Sequence, residues 1–394
     1  MDITITPSRL CGSIEAIPSK SQAHRLLICA AFADRESLLI CPETNQDIQA
    51  TVNCLNALGA QIQPFENGYL VKPICNIPSC AVLPCSESGS TLRFMLPIAG
   101  ALGVDATFLL EGRLPLRPLS PLWEEMERMG CSLSRPQENA VRCTGKLLSG
   151  TYSISGKVSS QFITGLLFAL SLTDGRSVLK ITDTLESKPY VDMTLDALHR
   201  FGVVTDGKNV VGSFPFQSPG TLAVEGDWSN SAFYLSATAI GNDVSVAGLN
   251  TNSFQGDRVV TELLKELADH ITVSAKDIPD LIPILSVVAA AGKGAVFTDI
   301  QRLRLKESDR VASVVDMLCS LGISASADES TLYVSSGRFH GGIIDSKNDH
   351  RIAMSAAIAA TLADSPVTIK NAQCVAKSYP KFWQDYRSLG GKYE

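Results

Sequence analysis

The chain has 394 residues, 45% of them hydrophobic and 6% aromatic, with a formal net charge of −6. That composition excludes a disordered or fibrous chain and supplies enough apolar residues for the cores of two or three domains. The acidic balance and the shortage of stacking rings exclude a general affinity for nucleic acid or for an anionic membrane, so an anion site has to be a local cluster of cations. Eleven cysteines are present without a Cys-x-x-Cys pair, and the five histidines are scattered, so reduced, buried thiols are expected and no metal site.

In chain order, residues 1–6 (MDITIT) read as a strand rather than an export signal, and no apolar run is long enough to span a membrane. Two kinds of helix then alternate. The first kind has a polar head and a small, apolar body; its heads begin at Ser19, Ser88, Ser159, Gly226, Ile278 and Asn348. The second kind is amphipathic and ends on a bulky apolar residue followed by glycine, at Leu58-Gly59, Met129-Gly130, Phe201-Gly202, Leu321-Gly322 and Leu389-Gly390. A sixth such end, near Asp269, lacks the glycine. Alternating segments at 69–71, 151–154 and 331–334 read as strands between them.

The pattern predicts six α/β units in two domains of three. The seam falls near residues 225–227, and a second crossing at Ile17-Pro18 leaves residues 1–18 with 226–394 as a discontinuous C-terminal domain, against 19–225.

The stretch RLRLKESDR at 302–310 holds four cations and two carboxylates. Arg302 to Leu305 alternate as in a half-buried strand, and a helix follows to Gly322, which sets Lys306 and Glu307 at a strand-to-helix junction with Lys306 and Arg310 on one helical face. Serines and aspartates at helix heads are explained by capping alone. Cations there are not, because the helix dipole disfavours them unless an anion compensates. Lys20, Arg25, Arg93, Lys306, Arg310 and Arg351 stand in or beside such heads, and Arg113, Arg117 and Lys377 add charge elsewhere, which implies bound anions, two groups rather than one. Asp280, Glu307 and Asp349 are then candidates for proton transfer. The absence of a GKS/GKT loop and of GxGxxG argues against a nucleoside triphosphate or dinucleotide cofactor.

The motifs SKSQAHR (19–25), SGSTLR (88–93), LRP (116–118), SSQ (159–161), ESKPY (186–190), EGD (225–227), IPD (278–280), LKESDR (305–310), NDHR (348–351) and AKSYP (376–380) span the chain. In order and spacing the sequence resembles the 5-enolpyruvylshikimate-3-phosphate synthase family of enolpyruvyl transferases. The resemblance implies an α/β fold, a two-domain inside-out barrel with three βαβαββ units around buried helices in each domain, and an active site in the interdomain cleft. It implies transfer of the enolpyruvyl group of phosphoenolpyruvate to the 5-hydroxyl of shikimate 3-phosphate with release of phosphate, through a tetrahedral intermediate, by a cytoplasmic monomer that uses no cofactor or metal and binds no nucleic acid or membrane.

Carried over by position, the resemblance assigns Lys20, Ser21, Arg25, Ser159, Ser160, Gln161, Ser187, Tyr190, Asp280 and Lys306 to shikimate 3-phosphate. It assigns Lys20, Gly89, Arg117, Gln161, Arg310, Arg351 and Lys377 to phosphoenolpyruvate, and the catalytic work to Asp280, Glu307, Lys20 and Lys306. The sister transferase acting on UDP-N-acetylglucosamine fits less well, since Ser21 stands where that enzyme carries Asn.

Overall fold

The computed structural model describes residues 1–394, and the chain divides into two compact units, Met1–Ile17 with Glu225–Glu394, and Pro18–Val224. Within Pro18–Val224 the helices are α1 (Lys20–Ala31), α2 (Gln46–Ala57), α3 (Gly89–Leu102), α4 (Leu122–Arg128), α5 (Ser160–Leu172) and α6 (Lys188–Arg200). The other unit holds α7 (Trp228–Ala239), α8 (Val260–Glu266), α9 (Ile282–Ala291), α10 (Arg310–Ser320), α11 (His350–Ala359) and α12 (Phe382–Ser388).

Each unit repeats one supersecondary pattern. In Pro18–Val224 it is clearest in strand Cys80–Ser86, α3, strand Asp105–Leu110, α4, and strands Cys131–Gln137 and Ala140–Gly145. The first two strands are parallel, with Val82 opposite Thr107, and the last returns antiparallel, with Val141 opposite Phe108. The other unit does the same with Ile271–Ser274, α9, Ala295–Thr298, α10, Ala325–Ala327 and Thr331–Val334. Three sheets belong to each unit.

The chain termini follow from strand pairing. Strand Ile3–Thr6 lies antiparallel between Val367–Lys370 and Lys392–Tyr393, and Cys11–Glu15 runs parallel to Asp243–Ala247. In the other unit Thr221–Ala223 returns to pair with Ser37–Ile40, joining the end of that segment to its beginning.

Two burial patterns separate the helices. In α3 and α5 nearly every residue is buried, and α9 reads Ile-Pro-Ile-Leu-Ser-Val-Val-Ala-Ala-Ala with all but its last residue buried. A helix apolar on all sides belongs inside, with sheets around it. Small residues let these helices approach closely: at Gly165 in α5 a Cβ would lie 2.8 Å from Pro97 Cγ of α3 and nearer still to the Arg93 carbonyl oxygen. The amphipathic helices α2, α4, α6, α10 and α12 each stop just before a glycine with positive φ, as at Gly322 (φ +83°).

Two local expectations are corrected. Residues Gln301–Leu305 form a 3-10 turn, not a strand, because only Leu303 is fully buried and its neighbours face outward in a tight turn. Lys306 therefore precedes α10 in extended backbone and does not share a helical face with Arg310. Cysteine burial is also only partial: Cys11, Cys75, Cys80 and Cys319 are exposed, while all eleven thiols are free. No helix is long and apolar enough to cross a membrane.

The α3–α5 contact yields a stability prediction. Gly165→Ala gains about 1 kcal/mol of helix propensity, but the new methyl meets backbone, which cannot step aside. A net loss of about 1–3 kcal/mol is expected, read as a lower denaturation midpoint at unchanged slope; an equal or higher midpoint would contradict the close packing.

Candidate functional site

In Pro18–Val224 the predicted residues are gathered by hydrogen bonds between helix heads. Ser19 caps α1, and Lys20, its first residue, places Nζ 2.8 Å from Asp47 Oδ2 in the first turn of α2. Ser88 caps α3 and Ser159 caps α5. Gln161 is fixed at both ends of its amide: Nε2 donates to Ser90 Oγ at 2.8 Å and Oε1 accepts from Arg93 Nη1 at 2.7 Å. Arg93 also donates from Nη2 to the Pro118 carbonyl at 3.1 Å, so one guanidinium joins the second, third and fourth sequence motifs.

Gly89 opens α3 directly against Arg117. A Cβ there would lie 2.6 Å from Arg117 Nη1, so the guanidinium occupies space that only glycine leaves. Behind this surface His24 is fully enclosed, its Nδ1 2.7 Å from Thr51 Oγ1, which in turn meets Thr91 Oγ1 at 2.7 Å and through it the Ser88 cap. Burial first, then the charges of Lys20 and Arg25, hold the imidazole well below its usual pKa and therefore neutral.

Arg25 is bonded by the protein itself on several sides. It is buried, donating from Nε to Thr194 Oγ1 at 2.9 Å, from Nη1 to the Ser21 carbonyl at 2.6 Å and from Nη2 to the Tyr190 carbonyl at 2.8 Å, with Phe94 5.3 Å away. Most of its donors hold Ser21 and the start of α6, where Ser187 adopts a left-handed conformation (φ +55°). Burial lowers its pKa to about 10, which leaves it charged at neutral pH. Ser160, the first residue of α5, lies next to Gln161.

In the other unit the charges are concentrated around Arg310, the first residue of α10, whose side chain is 1% exposed. Its Nε donates to Asp349 Oδ2 at 3.0 Å, Nη1 to Asp280 Oδ1 at 2.8 Å and Nη2 to Glu307 Oε2 at 2.7 Å. Asp280 receives two further cations, Lys306 Nζ at 3.4 Å and Arg351 Nη2 at 3.2 Å, and Arg351 Nη1 also donates to the Asp280 carbonyl at 3.1 Å. Asp280 is not a helix cap: α9 is preceded by Leu281 at the cap position, with no side-chain cap bond, so the carboxylate is turned to these cations. Lys377 places Nζ 2.9 Å from the Asn348 carbonyl.

The cations at the heads are thus met largely by the protein's own carboxylates. Asp349, a sequence candidate for proton transfer, is buried, caps α11 through the Arg351 backbone N–H and accepts from Ser308 Oγ and Arg310. Burial alone would raise its pKa; the Arg310 guanidinium outweighs that and holds the carboxyl below the usual range, so it stays ionised and structural. Lys306 is shifted the other way. Burial lowers its pKa to about 8, against the pull of Asp280 and Glu307, so it can give up a proton near neutrality. No group of three or more His, Cys, Asp or Glu side chains is arranged to hold a metal ion.

A profile of the family described as EPSP synthase (3-phosphoshikimate 1-carboxyvinyltransferase) matches residues 5–278 and 268–386. The chain is 36% identical over 421 residues to the 3-phosphoshikimate 1-carboxyvinyltransferase of Clostridium kluyveri, a match that covers 100% of this chain and 98% of that one. It is 37% identical over 417 residues to the enzyme of that description from Clostridium perfringens, with 99% and 98% covered. The solved EPSP synthase of Acinetobacter baumannii is alike in fold, with a TM-score of 0.82 at 24% identity over 100% of this chain and 99% of that one.

The depressed Lys306 predicts a pH effect on stability. Between its folded pKa of about 8 and the unfolded value of 10.5 the unfolded state holds the proton more tightly, so stability rises with pH across that window and the cost of charging the buried amine is fully present below it. Lys306→Met removes this term. The stability difference between variant and wild type is expected to change by about 1–3 kcal/mol between pH 7.5 and 10, with the wild type gaining; parallel stability curves would show that the amine is not perturbed.

Proposed function

The chain belongs to the EPSP synthase (3-phosphoshikimate 1-carboxyvinyltransferase) family, and from that premise we propose that it transfers the enolpyruvyl group of phosphoenolpyruvate to the 5-hydroxyl of shikimate 3-phosphate and releases phosphate. The observation that carries the residue assignments is the Asp280 carboxylate. It is held by Arg310, Lys306 and Arg351, released from helix capping, and only 19% exposed. A base so surrounded can accept a hydroxyl proton without moving its neighbours.

The steps balance as addition followed by elimination. A proton is delivered to the methylene carbon of phosphoenolpyruvate by the Lys306 ammonium, or by Glu307 in its protonated form, while the 5-oxygen bonds to the adjacent carbon and gives its own proton to Asp280. The tetrahedral intermediate then returns a proton from its new methyl group to the residue that delivered one, as its phosphate departs, which restores the double bond. Fixed cations stabilise negative charge on the carboxylate and on the departing phosphate with little reorganisation.

On this reading Lys20, Ser21, Arg25, Ser159, Ser160, Gln161, Ser187 and Tyr190 hold shikimate 3-phosphate, Arg25 chiefly by positioning Ser21 and Tyr190. Gly89, Arg117, Arg310, Arg351 and Lys377 hold phosphoenolpyruvate, with Lys20 and Gln161 serving both. We assign the enzyme to the cytoplasm, which its free thiols support, and from the family resemblance alone take it to be a monomer.

The test is phosphate release from the two substrates together. The wild type should release phosphate only when both are present, and Asp280→Asn, which keeps the shape of the side chain among its three cations, should lower kcat by about 10²- to 10⁴-fold with substrate binding largely kept. Turnover in that variant equal to wild type would remove Asp280 from its role.

A further inference from the structure

Ahead of α8 a 3-10 turn, Gly256–Val259, carries an acid that the assigned reaction does not use. Asp257 is 3% exposed; Ser229 Oγ donates to its Oδ2, while Oδ1 is buried without a hydrogen-bond partner. The turn is latched to the start of α7, where the Trp228 N–H donates to Gln255 Oε1 at 3.1 Å and Gln255 Nε2 donates to the Gly226 carbonyl at 2.8 Å. The carboxyl is therefore held in place.

The charged groups that face it come from three elements: Asp280 ahead of α9, Arg351 from α11 and Asp227 at the cap of α7. Two of these are the proton acceptor and a donor-binding cation of the proposed reaction. A buried carboxylate with one bare oxygen is costly, and protonation relieves that cost. Burial first, then the charge of Asp280, push the Asp257 pKa up to about 7 against the opposing pull of Arg351 and the Ser229 hydroxyl, so both protonation states are populated at neutral pH.

We propose that Asp257 is a positioning residue for the transfer: protonated, it leaves the Arg351 guanidinium to Asp280 and to the carboxylate or phosphate of phosphoenolpyruvate, and on ionising it competes for that charge. The proposal rests on the enolpyruvyl-transfer reading and adds a proton-controlled step in donor affinity. Because the interaction is mutual, a charge on Asp257 also raises the proton affinity of Asp280.

The experiment is the pH dependence of the KM for phosphoenolpyruvate, read by phosphate release from the full-length enzyme at saturating shikimate 3-phosphate. The range is pH 6.0 to 7.5, over which Lys306 stays mostly charged and its partial discharge is common to all variants. Substrate ionisation is common to all variants, so only differences between them count. KM in the wild type should rise by about threefold more than in Asp257→Asn, whose side chain keeps its shape and stays neutral. Ser229→Ala removes a hydrogen bond that favours the ionised form, so its rise should move to higher pH and its KM at pH 7.5 should lie below that of the wild type. Superimposable profiles of wild type and Asp257→Asn, or a Ser229→Ala profile unmoved or shifted to lower pH, overturn the proposal. Should Asp257→Asn fail to fold, the Ser229→Ala shift decides alone. Absence of phosphate release by the wild type would overturn the transfer reading and this proposal with it, whereas turnover with unaltered profiles overturns this proposal only.

Discussion

A guanidinium almost sealed from water, with carboxylates from three separate segments around it, is the interaction on which the C-terminal unit's chemistry depends. Arg310 reaches Asp280 ahead of α9, Glu307 in the segment before α10 and Asp349 at the cap of α11. Burying any one of these charges alone is prohibitive; together they compensate one another, and removing a single partner from such a cluster typically costs about 3–5 kcal/mol. The network ties together the heads of α9, α10 and α11. It also holds the Asp280 carboxylate where Lys306 and Arg351 converge, which makes it a base in a field of fixed charge.

Hydrogen bonds to neutral acceptors do the corresponding work in Pro18–Val224. The Gln161 amide is clamped by Ser90 and Arg93, Arg25 spends its donors on carbonyls and threonines, and His24 stays uncharged in a chain of hydroxyls that runs to the cap of α3. Lys20 and Arg117 then lie at the head of this framework, Lys20 beside Asp47 and Arg117 over the bare backbone of Gly89. Buried polar contacts thus set the geometry of the helix heads from which these cations extend.

Much of this was legible in the sequence, and the exceptions share a cause. Helix heads at Ser19, Ser88 and Ser159 and glycine stops such as Leu321-Gly322 depend on local chemistry, so capping rules find them. The Arg302–Leu305 alternation misled because a period of two over four residues does not distinguish a strand from a 3-10 turn in which Leu303 is buried and Leu305 is exposed. Cations at helix heads signalled a need for negative charge, but not whether a ligand or the chain itself supplies it; for Arg310 the chain does. Asp280 looked like a cap, and only the position of Leu281 in the folded chain frees it. Asp257 and the Arg93–Gln161 clamp carried no local signal, since their partners lie dozens of residues away.

The central claim is that fixed charges put a proton on the methylene carbon of the enolpyruvyl donor and take one off again. Turnover in deuterium oxide reads this directly. Because the intermediate carries a freely rotating methyl group, addition and elimination should leave deuterium in the vinylic methylene of the product, detectable by mass spectrometry and NMR. Product formed at full rate with no deuterium at that carbon would mean that it is never protonated, and would contradict the account.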